Sequence, residues 1–470
     1  MAKQVSRRVR SGTSKSPWFA VTPDKAFWFF SLFMLVVLFT GGGSRYDISS
    51  VGPLRAISAV FLAIAIYAQT QKSFHKVAPP VSLLIILGLL MAAQLIPLPP
   101  ALWSGLPGRE AIYEAGVLID ANEIWRPITL SPLRTLNALT SLVVPLSALM
   151  LLALLDEEGW RRVPILIVAA GIASALLGIA QVTLPGAASL YFYEITNQGS
   201  AVGFFANRNH NALFLNIALL ISSWHVLPDR PRWNPANLFT AAGHLILLLG
   251  ILINGSRFGF ALFGLVALIL AFRFILRARS EGKLGQAGPL PQQMLAFLGG
   301  AVALGIIALF LASDRVPALS RLFEQDVAQD LRARSFATVW QMAGDNLPFG
   351  VGFGAFEQAY RKVEPDALLS SVYFNHAHDD WLQIVIEGGV PAILIFCFGL
   401  FLIVRRGFKI WQLRKLRATS LSEPLLGFLI LTMIGLHIFV DYPLRTPIMM
   451  VIAAIALGWI FRSRNAAVKG

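Results

Sequence analysis

Two histidines and three carboxylates crowd one short stretch of the chain, namely His376-Ala377-His378-Asp379-Asp380 and the nearby Glu387. An imidazole that titrates near neutral pH is suited to take a proton from a hydroxyl group. A helix through this stretch places His378 on an apolar face and Asp380 with Glu387 on another, because successive residues turn by about 100°. The alternative is an interfacial helix cap, since Asp379 and Asp380 fall in a first helical turn, where carboxylates are favoured.

The same stretch raises the question of a metal ion. The pattern His-x-His-x-Asp resembles the opening of binuclear metallohydrolase sites. Those sites need a further histidine directly after the aspartate, where this chain has Trp381, and they need a β-rich fold that a helical loop does not supply. We therefore expect neither a metal ion nor another cofactor, and His378 is the candidate general base.

Two arginines stand at the starts of apolar blocks. Arg208 lies in the run Asn207-Arg208-Asn209-His210, and Arg257 follows the tight turn Asn254-Gly255-Ser256. A guanidinium binds phosphate with two parallel hydrogen bonds, and a helix N-terminus adds partial positive charge. Both positions suit a lipid-borne phosphate at the membrane surface. The alternative is a snorkelling arginine, which is common at helix ends.

A third group of polar residues lies in the turn Asp441-Tyr442-Pro443-Leu444-Arg445, where Asp441 and Arg445 either pair with each other or line the site.

The Gly350-x-Gly352-x-Gly354 run predicts a tight turn rather than a dinucleotide site, because no strand precedes it. Three further histidines are interpreted as interior or interfacial residues without partners and receive no role: His225, His244 and His437.

The elements that position these residues are membrane helices. The chain is 56% hydrophobic and only 14% charged, whereas soluble domains average about 25% charged residues. Its mean hydropathy is +0.66. Apolar blocks long enough to span a bilayer predict an all-α, polytopic protein of about twelve transmembrane helices, at 26–42, 54–70, 79–96, 133–155, 163–184, 208–227, 236–254, 257–275, 293–313, 389–404, 424–441 and 446–461.

Charge predicts the orientation. With the basic N-terminus in the cytoplasm, the segments on that side carry 25 of the 39 lysines and arginines, as the positive-inside rule requires. The net charge of +14 therefore needs no nucleic-acid partner. The other side holds thirteen arginines but one lysine, Lys362, an imbalance that phosphate recognition or general arginine richness would produce.

We expect no cleavable signal peptide, and a single cysteine, Cys397, rules out a disulfide within the chain.

The expected division of the chain follows from these blocks. We expect a basic cytoplasmic tail, nine transmembrane helices, a long helical loop on the non-cytoplasmic side that carries the His376 motif, three more transmembrane helices and a second cytoplasmic tail, over 1–25, 26–313, 314–388, 389–462 and 463–470. The sequence predicts amphipathic or helical pieces near 109–118, 328–344 and 355–363. All candidate site residues then lie at the non-cytoplasmic ends of helices.

Taken in order, these motifs resemble those of the O-antigen ligase and polymerase superfamily. The resemblance covers most of the chain from about residue 185 onward. It is carried by five runs, which are Gly203-Phe204-Phe205-Ala206-Asn207-Arg208-Asn209, Ser256-Arg257, Pro348-Phe349-Gly350-Val351-Gly352-Phe353-Gly354, His378-Asp379-Asp380-Trp381-Leu382 with Glu387-Gly388-Gly389, and Asp441-Tyr442-Pro443-Leu444. Each run is weak alone, and their order and spacing make the set fairly specific.

The resemblance implies a GT-C-like glycosyltransferase in the bacterial inner membrane, with its active site in the periplasm. The donor is a glycan on undecaprenyl pyrophosphate, the acceptor is another glycan or lipid A-core, and the reaction is inverting and independent of metal. By position, His378 matches the family's catalytic histidine, and Arg208 and Arg257 match its pyrophosphate contacts. Supporting residues are Asn207, Asn209, His376, Asp379, Asp380, Glu387, Asp441 and Arg445. The residue after the family histidine is usually Asn or Ser, so Asp379 is a departure that bears on acceptor geometry.

Rival interpretations remain within and outside this class. Ligase, polymerase and protein O-glycosyltransferase differ in the acceptor, which the sequence does not define. A flippase or other transporter for lipid-linked glycan is the alternative from another class. Transporters place charged residues in the middle of the membrane, whereas the predicted helices here carry their charges at the ends.

Overall fold

Helices make up almost all of the computed structural model, which describes residues 22–226, 235–280, 327–369, 374–415 and 422–462. They are α1 (Pro23–Thr40), α2 (Val51–Ala68), α3 (Gln71–Phe74), α4 (Ala78–Ala93), α5 (Pro100–Trp103), α6 (Glu110–Leu118), α7 (Pro132–Ser141), α8 (Val143–Leu154), α9 (Glu157–Thr183), α10 (Arg208–Val226), α11 (Pro235–Asn254), α12 (Arg257–Ser280), α13 (Val327–Asp345), α14 (Phe356–Tyr360), α15 (Asp380–Lys415), α16 (Ser422–His437) and α17 (Pro447–Phe461). Two short antiparallel strands, β1 (Pro97–Leu98) and β2 (Arg126–Pro127), pair with each other.

Helices overlap each expected apolar block in the described residues, whereas five helices lie between the blocks, and they are α3, α5, α6, α13 and α14. The block at 293–313 lies outside the described residues, as does most of the first cytoplasmic tail. Five helical segments within the described part are long and apolar enough to cross a membrane, which are Pro23–Thr40, Val51–Ala68, Pro132–Leu154, Glu157–Thr183 and Asp380–Gln412. Shorter apolar helices include Ala78–Ala93 and Pro447–Phe461. The chain is therefore mostly helical, as expected of an all-α membrane protein.

Two helices form the centre of the bundle. Almost every residue from His210 to Trp224 on α10 is buried, and most of α17 is buried as well. Helix α10 packs on α9, α11 and α12, whereas α17 packs on α8 and α16. A helix that is apolar on all sides lies inside its protein or in lipid, and here neighbouring helices cover these two. The turns at the ends of α10 and α17 are consequently held in fixed positions.

A small layer of helices covers one end of α15. The amphipathic segments expected near 109–118 and 328–344 are confirmed as α6 and α13, and the expected piece at 355–363 is the shorter α14. Apolar residues of this layer pack against the first turns of α15, where Ile386 is fully buried, and they include Val339, Met342, Phe356 and Tyr360. This packing fixes the start of α15.

The glycine run before α15 is hydrogen-bonded to the backbone of that helix. At Gly389 the backbone leaves the helical region, with φ of 60° and ψ of −155°. The backbone N–H of Val351 donates to the Ile386 carbonyl (2.8 Å), and that of Gly352 donates to the Glu387 carbonyl (2.9 Å). A side chain at Gly350 would meet the Glu387 carbonyl oxygen at 2.7 Å. Glycine is thus required here for a close backbone approach, as the expected tight turn implied.

The start of α15 differs from the expected helix through His378. The helix begins at Asp380, and the predicted apolar block at 389–404 starts at the kink at Gly389. His378 precedes the helix and has a positive φ of 53°. It therefore does not share a helical face with Leu382, and the helical placement of His378 was wrong. The physical reason is the left-handed turn at His378, which reverses the chain just before α15 begins.

Candidate active site

Asp441 lies at the centre of the polar cluster. It is fully buried in the turn between α16 and α17. Its Oδ2 accepts hydrogen bonds from Nδ2 of Asn207 (3.0 Å) and of Asn209 (2.9 Å), and its Oδ1 accepts one from the backbone N–H of Tyr442 (3.0 Å). A buried carboxylate needs such partners to offset the loss of water. The turn after α16 is thereby joined to the start of α10.

His378 lies beside the same carboxylate. Its Nδ1 is 3.6 Å from Oδ1 of Asp441, longer than a hydrogen bond but within ion-pair distance. The ring is 17% exposed and contacts the rings of Tyr442 (4.9 Å between centroids) and Phe374 (5.6 Å). A carboxylate at Nδ1 favours the tautomer that carries its proton there, and that tautomer leaves a lone pair on Nε2. The arrangement can therefore make His378 a general base.

The starts of α10 and α12 are tied to this cluster through their caps. The Asn207 side chain accepts from the backbone N–H of Asn209 (2.8 Å), and Ser256 accepts from that of Gly259 (3.1 Å). The Ser256 hydroxyl in turn donates to Oδ1 of Asn209 (2.8 Å). Both helix N-termini thus lie next to Asp441, and the partial positive charge at a helix N-terminus favours an anion.

Arg208 and Arg257 are the first residues of these two helices, and both are partly exposed. The backbone of Arg208 is held from two sides, because its N–H donates to Oδ1 of Asn197 (3.0 Å) and its carbonyl accepts from Nδ2 of Asn254 (2.9 Å). The second of these bonds links α10 to the end of α11. The backbone atoms that carry the two arginine side chains are consequently close together, and that of Arg208 is held in place.

Arg445 belongs to a separate network. Its Nε lies 2.8 Å from Oδ1 of Asp380, and its Nη2 lies 3.2 Å from Oε2 of Glu387. Sequence analysis left open whether Arg445 pairs with Asp441 or lines the site; its ion pairs are with these two residues of α15. Burial lowers the pKa of Arg445, but the two carboxylates raise it above its usual value, so the guanidinium stays charged. The network locks the turn after α16 onto α15.

Gln383 connects this network to the histidine segment. Its Oε1 accepts from the backbone N–H of Ala377 (2.9 Å), and its Nε2 donates to Oε1 of Glu387 (2.8 Å) and lies 3.3 Å from Nδ1 of His376. Burial is the main cause of a pKa of His376 well below its usual value, and Arg445 adds to it. His376 is therefore neutral near pH 7 and serves as a polar anchor for the loop.

Asp379 caps α15. Its Oδ1 accepts from the backbone N–H of Leu382 (3.1 Å), the contact of an N-cap residue. Burial raises the pKa of Asp379, and the backbone N–H groups of Leu382 and Trp381 lower it in part. Asn, Ser and Asp are all favoured at N-caps, so Asp379 suits this position as a cap. The helix-cap interpretation of the motif thus applies to Asp379, and the catalytic interpretation of His378 stays a prediction.

His210 and His437 complete the surroundings of Asp441. Nε2 of His210 lies 3.7 Å from Oδ1 of Asp441. Burial raises the pKa of Asp441, but His210 and His378 hold it well below the usual value, so the carboxylate stays ionised near pH 7. Ligand atoms of His210, His437 and Asp441 lie within 4.8 Å of one another, a spacing that could hold a metal ion. The amide groups of Asn207 and Asn209 both donate to Oδ2 of Asp441, so Oδ1 is the oxygen that faces the imidazoles of His210 and His378.

The comparison with protein families adds an independent observation. A family model described as O-antigen ligase matches residues 242–397, about a third of the chain. Residues 242–397 are therefore similar to the O-antigen ligase family, which confirms the resemblance drawn from the motifs. The match and the apolar helices together support a membrane protein of glycan metabolism. The comparison with curated proteins finds no match.

The matched residues contain only part of the cluster. Arg257, His378, Asp380 and Glu387 lie inside the matched residues. The other members precede or follow them, and they are Asn207, Arg208, Asn209, His210, Asp441 and Arg445. The site is therefore built from the matched residues, the start of α10 and the turn after α16.

Sequence analysis assigned no role to four residues of this cluster, which are His210, Gln383, His437 and Tyr442. His210 stands in the same run as Arg208, and Tyr442 directly follows Asp441, so each motif already contained a signal. Gln383 and His437 lie one helical turn before Glu387 and Asp441, and helical spacing is the signal for them. The statement that His244 and His437 lack partners was wrong. His244 contacts the Ser223 hydroxyl (3.1 Å), and the His437 ring packs on Phe258 (4.9 Å). The side chain of His225 lies outside the described residues.

Proposed function

We propose that this protein moves a glycan from undecaprenyl pyrophosphate to an acceptor hydroxyl at the periplasmic face of the inner membrane, as an O-antigen ligase or as a polymerase of O-antigen or exopolysaccharide. The observation that carries the proposal is the contact of His378 with Asp441, beside the starts of α10 and α12. The contact provides an oriented base, and the two helix starts provide an anion site.

In the proposed reaction, Nε2 of His378 takes the proton from the acceptor hydroxyl, and the oxygen attacks the anomeric carbon of the donor. The bond between that carbon and the phosphate oxygen breaks, and undecaprenyl pyrophosphate leaves from the opposite face, so the configuration inverts. Arg208 and Arg257 neutralise the charge that develops on the leaving group. The proton on His378 then passes to water.

Asp441 supports this step because an ionised carboxylate at Nδ1 stabilises the imidazolium that forms. Asn207 and Asn209 hold the carboxylate by their amide groups. Asp380, Glu387 and Arg445 orient the loop, with His376 anchored through Gln383. As proposed, the step needs no metal ion, because the guanidinium groups supply the positive charge.

The test is a transfer assay with purified protein, lipid-linked glycan and acceptor, without a membrane gradient. We expect His378→Ala to abolish transfer and the control His75→Ala, at an exposed residue, to retain it. Prior treatment with a chelator should leave transfer unchanged. Full activity of a correctly inserted His378→Ala protein would refute the assignment of the base. Gradient-dependent movement of lipid-linked glycan without transfer would instead identify a flippase.

A further inference from the structure

A cavity adjoins the site. It has a volume of about 430 Å³, within the usual range of about 300–1,000 Å³ for ligand pockets. Most of its wall is apolar and comes from α2, α4, α8 and α17, including Leu54, Leu87, Leu149, Met450 and Ala453. Such a wall fits a hydrocarbon chain that enters from the membrane.

One end of this cavity is the back of the proposed active site. His376, Asp380, Gln383 and Arg445 are among its lining residues. The His376 ring lies 4.3 Å from the Tyr442 ring, which lies 4.9 Å from the ring of His378. Arg208 and Arg257 are not among the described lining residues. The cavity therefore reaches the base from a different direction than the proposed donor site.

Three arginines also line the cavity, and they are Arg45 before α2, Arg55 on α2 and Arg134 on α7. Arg134 pairs with Glu357 (2.9 Å), and its guanidinium lies 3.5 Å from the centre of the Tyr46 ring. Arg45 donates to Asp47 through Nε (2.9 Å). Arg55 donates from Nη1 to Oδ1 of Asn137 (2.8 Å) and to the Thr140 hydroxyl (3.0 Å), both uncharged groups.

Two of these guanidinium groups pair with carboxylates, Arg45 with Asp47 and Arg134 with Glu357, whereas Arg55 bonds to neutral groups. An apolar chamber that has Arg55 in its wall is complementary to a lipid that carries a phosphate. A guanidinium such as Arg55, which is partly buried against apolar wall and already held by neutral partners, is well placed to bind that phosphate with two parallel bonds.

We propose that this cavity holds the lipid chain of the acceptor, with the acceptor's phosphate at Arg55 and Arg134. The proposal rests on the proposed function, which assigns the donor to Arg208 and Arg257. Donor and acceptor then approach His378 from opposite sides of the His376–Asp380 segment. An acceptor of this kind carries its own lipid and phosphate, which favours a lipid-linked glycan over a protein as the acceptor.

The test measures binding rather than transfer, so it stays informative whatever the base is. A photoactivatable farnesyl phosphate, which carries a diazirine on the chain, is cross-linked to the full-length protein without donor. We expect labelled peptides from 134–149 and 447–457, the segments that line the chamber. Polyprenyl phosphate should prevent labelling, whereas polyprenol and inorganic phosphate should not.

Two variants with matched controls decide the result. Ala453→Trp fills the chamber and should reduce labelling at least fivefold, whereas Ala63→Trp on the exposed face of α2 should not. Arg55→Gln should weaken binding by about tenfold, because a charged hydrogen bond to phosphate is lost, and Arg162→Gln at an exposed pair should not. Arg208→Gln should leave labelling of these two segments intact.

Three outcomes would overturn the proposal. Labelling that survives Ala453→Trp would show that the chain lies elsewhere. Equal competition by polyprenol would show that phosphate is not recognised. Equal competition by vesicles of phosphatidylglycerol would assign the cavity to bulk membrane lipid. Because no transfer is measured, a failure of the proposed reaction would leave this result unaffected.

Discussion

Nδ1 of His378 lies 3.6 Å from the carboxylate of Asp441, although the two residues belong to different turns of the chain. The contact depends on a left-handed backbone at His378, with φ of 53°, and on the amide groups that hold Asp441 in place. A backbone of this kind costs about 1–3 kcal/mol and persists where surrounding contacts enforce it. The position of the imidazole is thus determined by the fold around it.

Asp441→Asn should lower kcat by about 10²- to 10⁴-fold, the usual contribution of a positioned base. The amide oxygen would turn toward the donors of Asn207 and Asn209, which leaves the amide NH₂ facing His378. That NH₂ imposes the tautomer with the proton on Nε2, and the base is blocked. Steady-state kinetics on lipid-linked glycan should show the loss in kcat with little change in KM for the donor. A variant with normal kcat would contradict the role of Asp441.

Arg208→Gln and Arg257→Gln should each lower kcat/KM for the donor by about 10- to 100-fold, as expected for loss of a charged hydrogen bond to phosphate. The lysine variants should recover part of the loss, because they keep the charge but lack the planar fork. Arg162→Gln, at an exposed pair with Glu158, serves as the control. Equal activity of the lysine and glutamine variants would argue that charge at these helix starts is irrelevant.

Arg445→Gln should lower the free energy of unfolding by about 3–5 kcal/mol, because it leaves Asp380 and Glu387 buried without their partner. The double variant Glu387→Gln/Arg445→Gln should be less destabilised than the sum of the two single variants. Thermal unfolding of the purified protein in detergent measures both. Strict additivity of the two single effects would show that the pair is not coupled.

His376 should make the protein less stable in mild acid. Its pKa in the folded state lies well below the usual value, so between that pKa and about 6.5 the unfolded chain binds the extra proton. Stability therefore falls as pH drops below about 6.5, by up to about 1.4 kcal/mol per pH unit. His376→Gln should remove this part of the slope in thermal unfolding between pH 7 and pH 5. The exposed His75 provides the control His75→Gln, which should keep it.

Much of the fold could be predicted from the sequence, because the signal for a membrane helix is local. Apolar blocks such as 54–70 and 446–461 correspond closely to α2 and α17, and the amphipathic period near 328–344 located α13. The apolar block at 389–404 begins at the Gly389 kink of α15, and the polar turns from Asp380 that precede it have no hydropathy signal. Asp379 is the cap of that helix, and hydropathy alone does not detect caps.

The site was harder to predict, since its contacts join residues far apart in the chain. The order of the motifs along the chain identified a short set of candidates, which are Arg208, Arg257, His378 and Asp441. The choice of partner for Asp441 depended on the register between the turn after α16 and the start of α10, which no local pattern encodes. The positive φ of His378 likewise arises from tertiary contacts, so a helical extrapolation through that residue failed.

Asp441 lies beyond the residues that match the O-antigen ligase domain, and the backbone N–H of Asp380 also needs the carbonyl of Ile438 (2.9 Å). During synthesis the ribosome delivers His378 before either of these partners. A nascent or truncated chain that stops short of α16 carries the histidine but lacks the carboxylate that orients it. In the proposed mechanism the base is therefore oriented only after α16 and the turn that follows it have been inserted, so a shorter chain would not consume the donor.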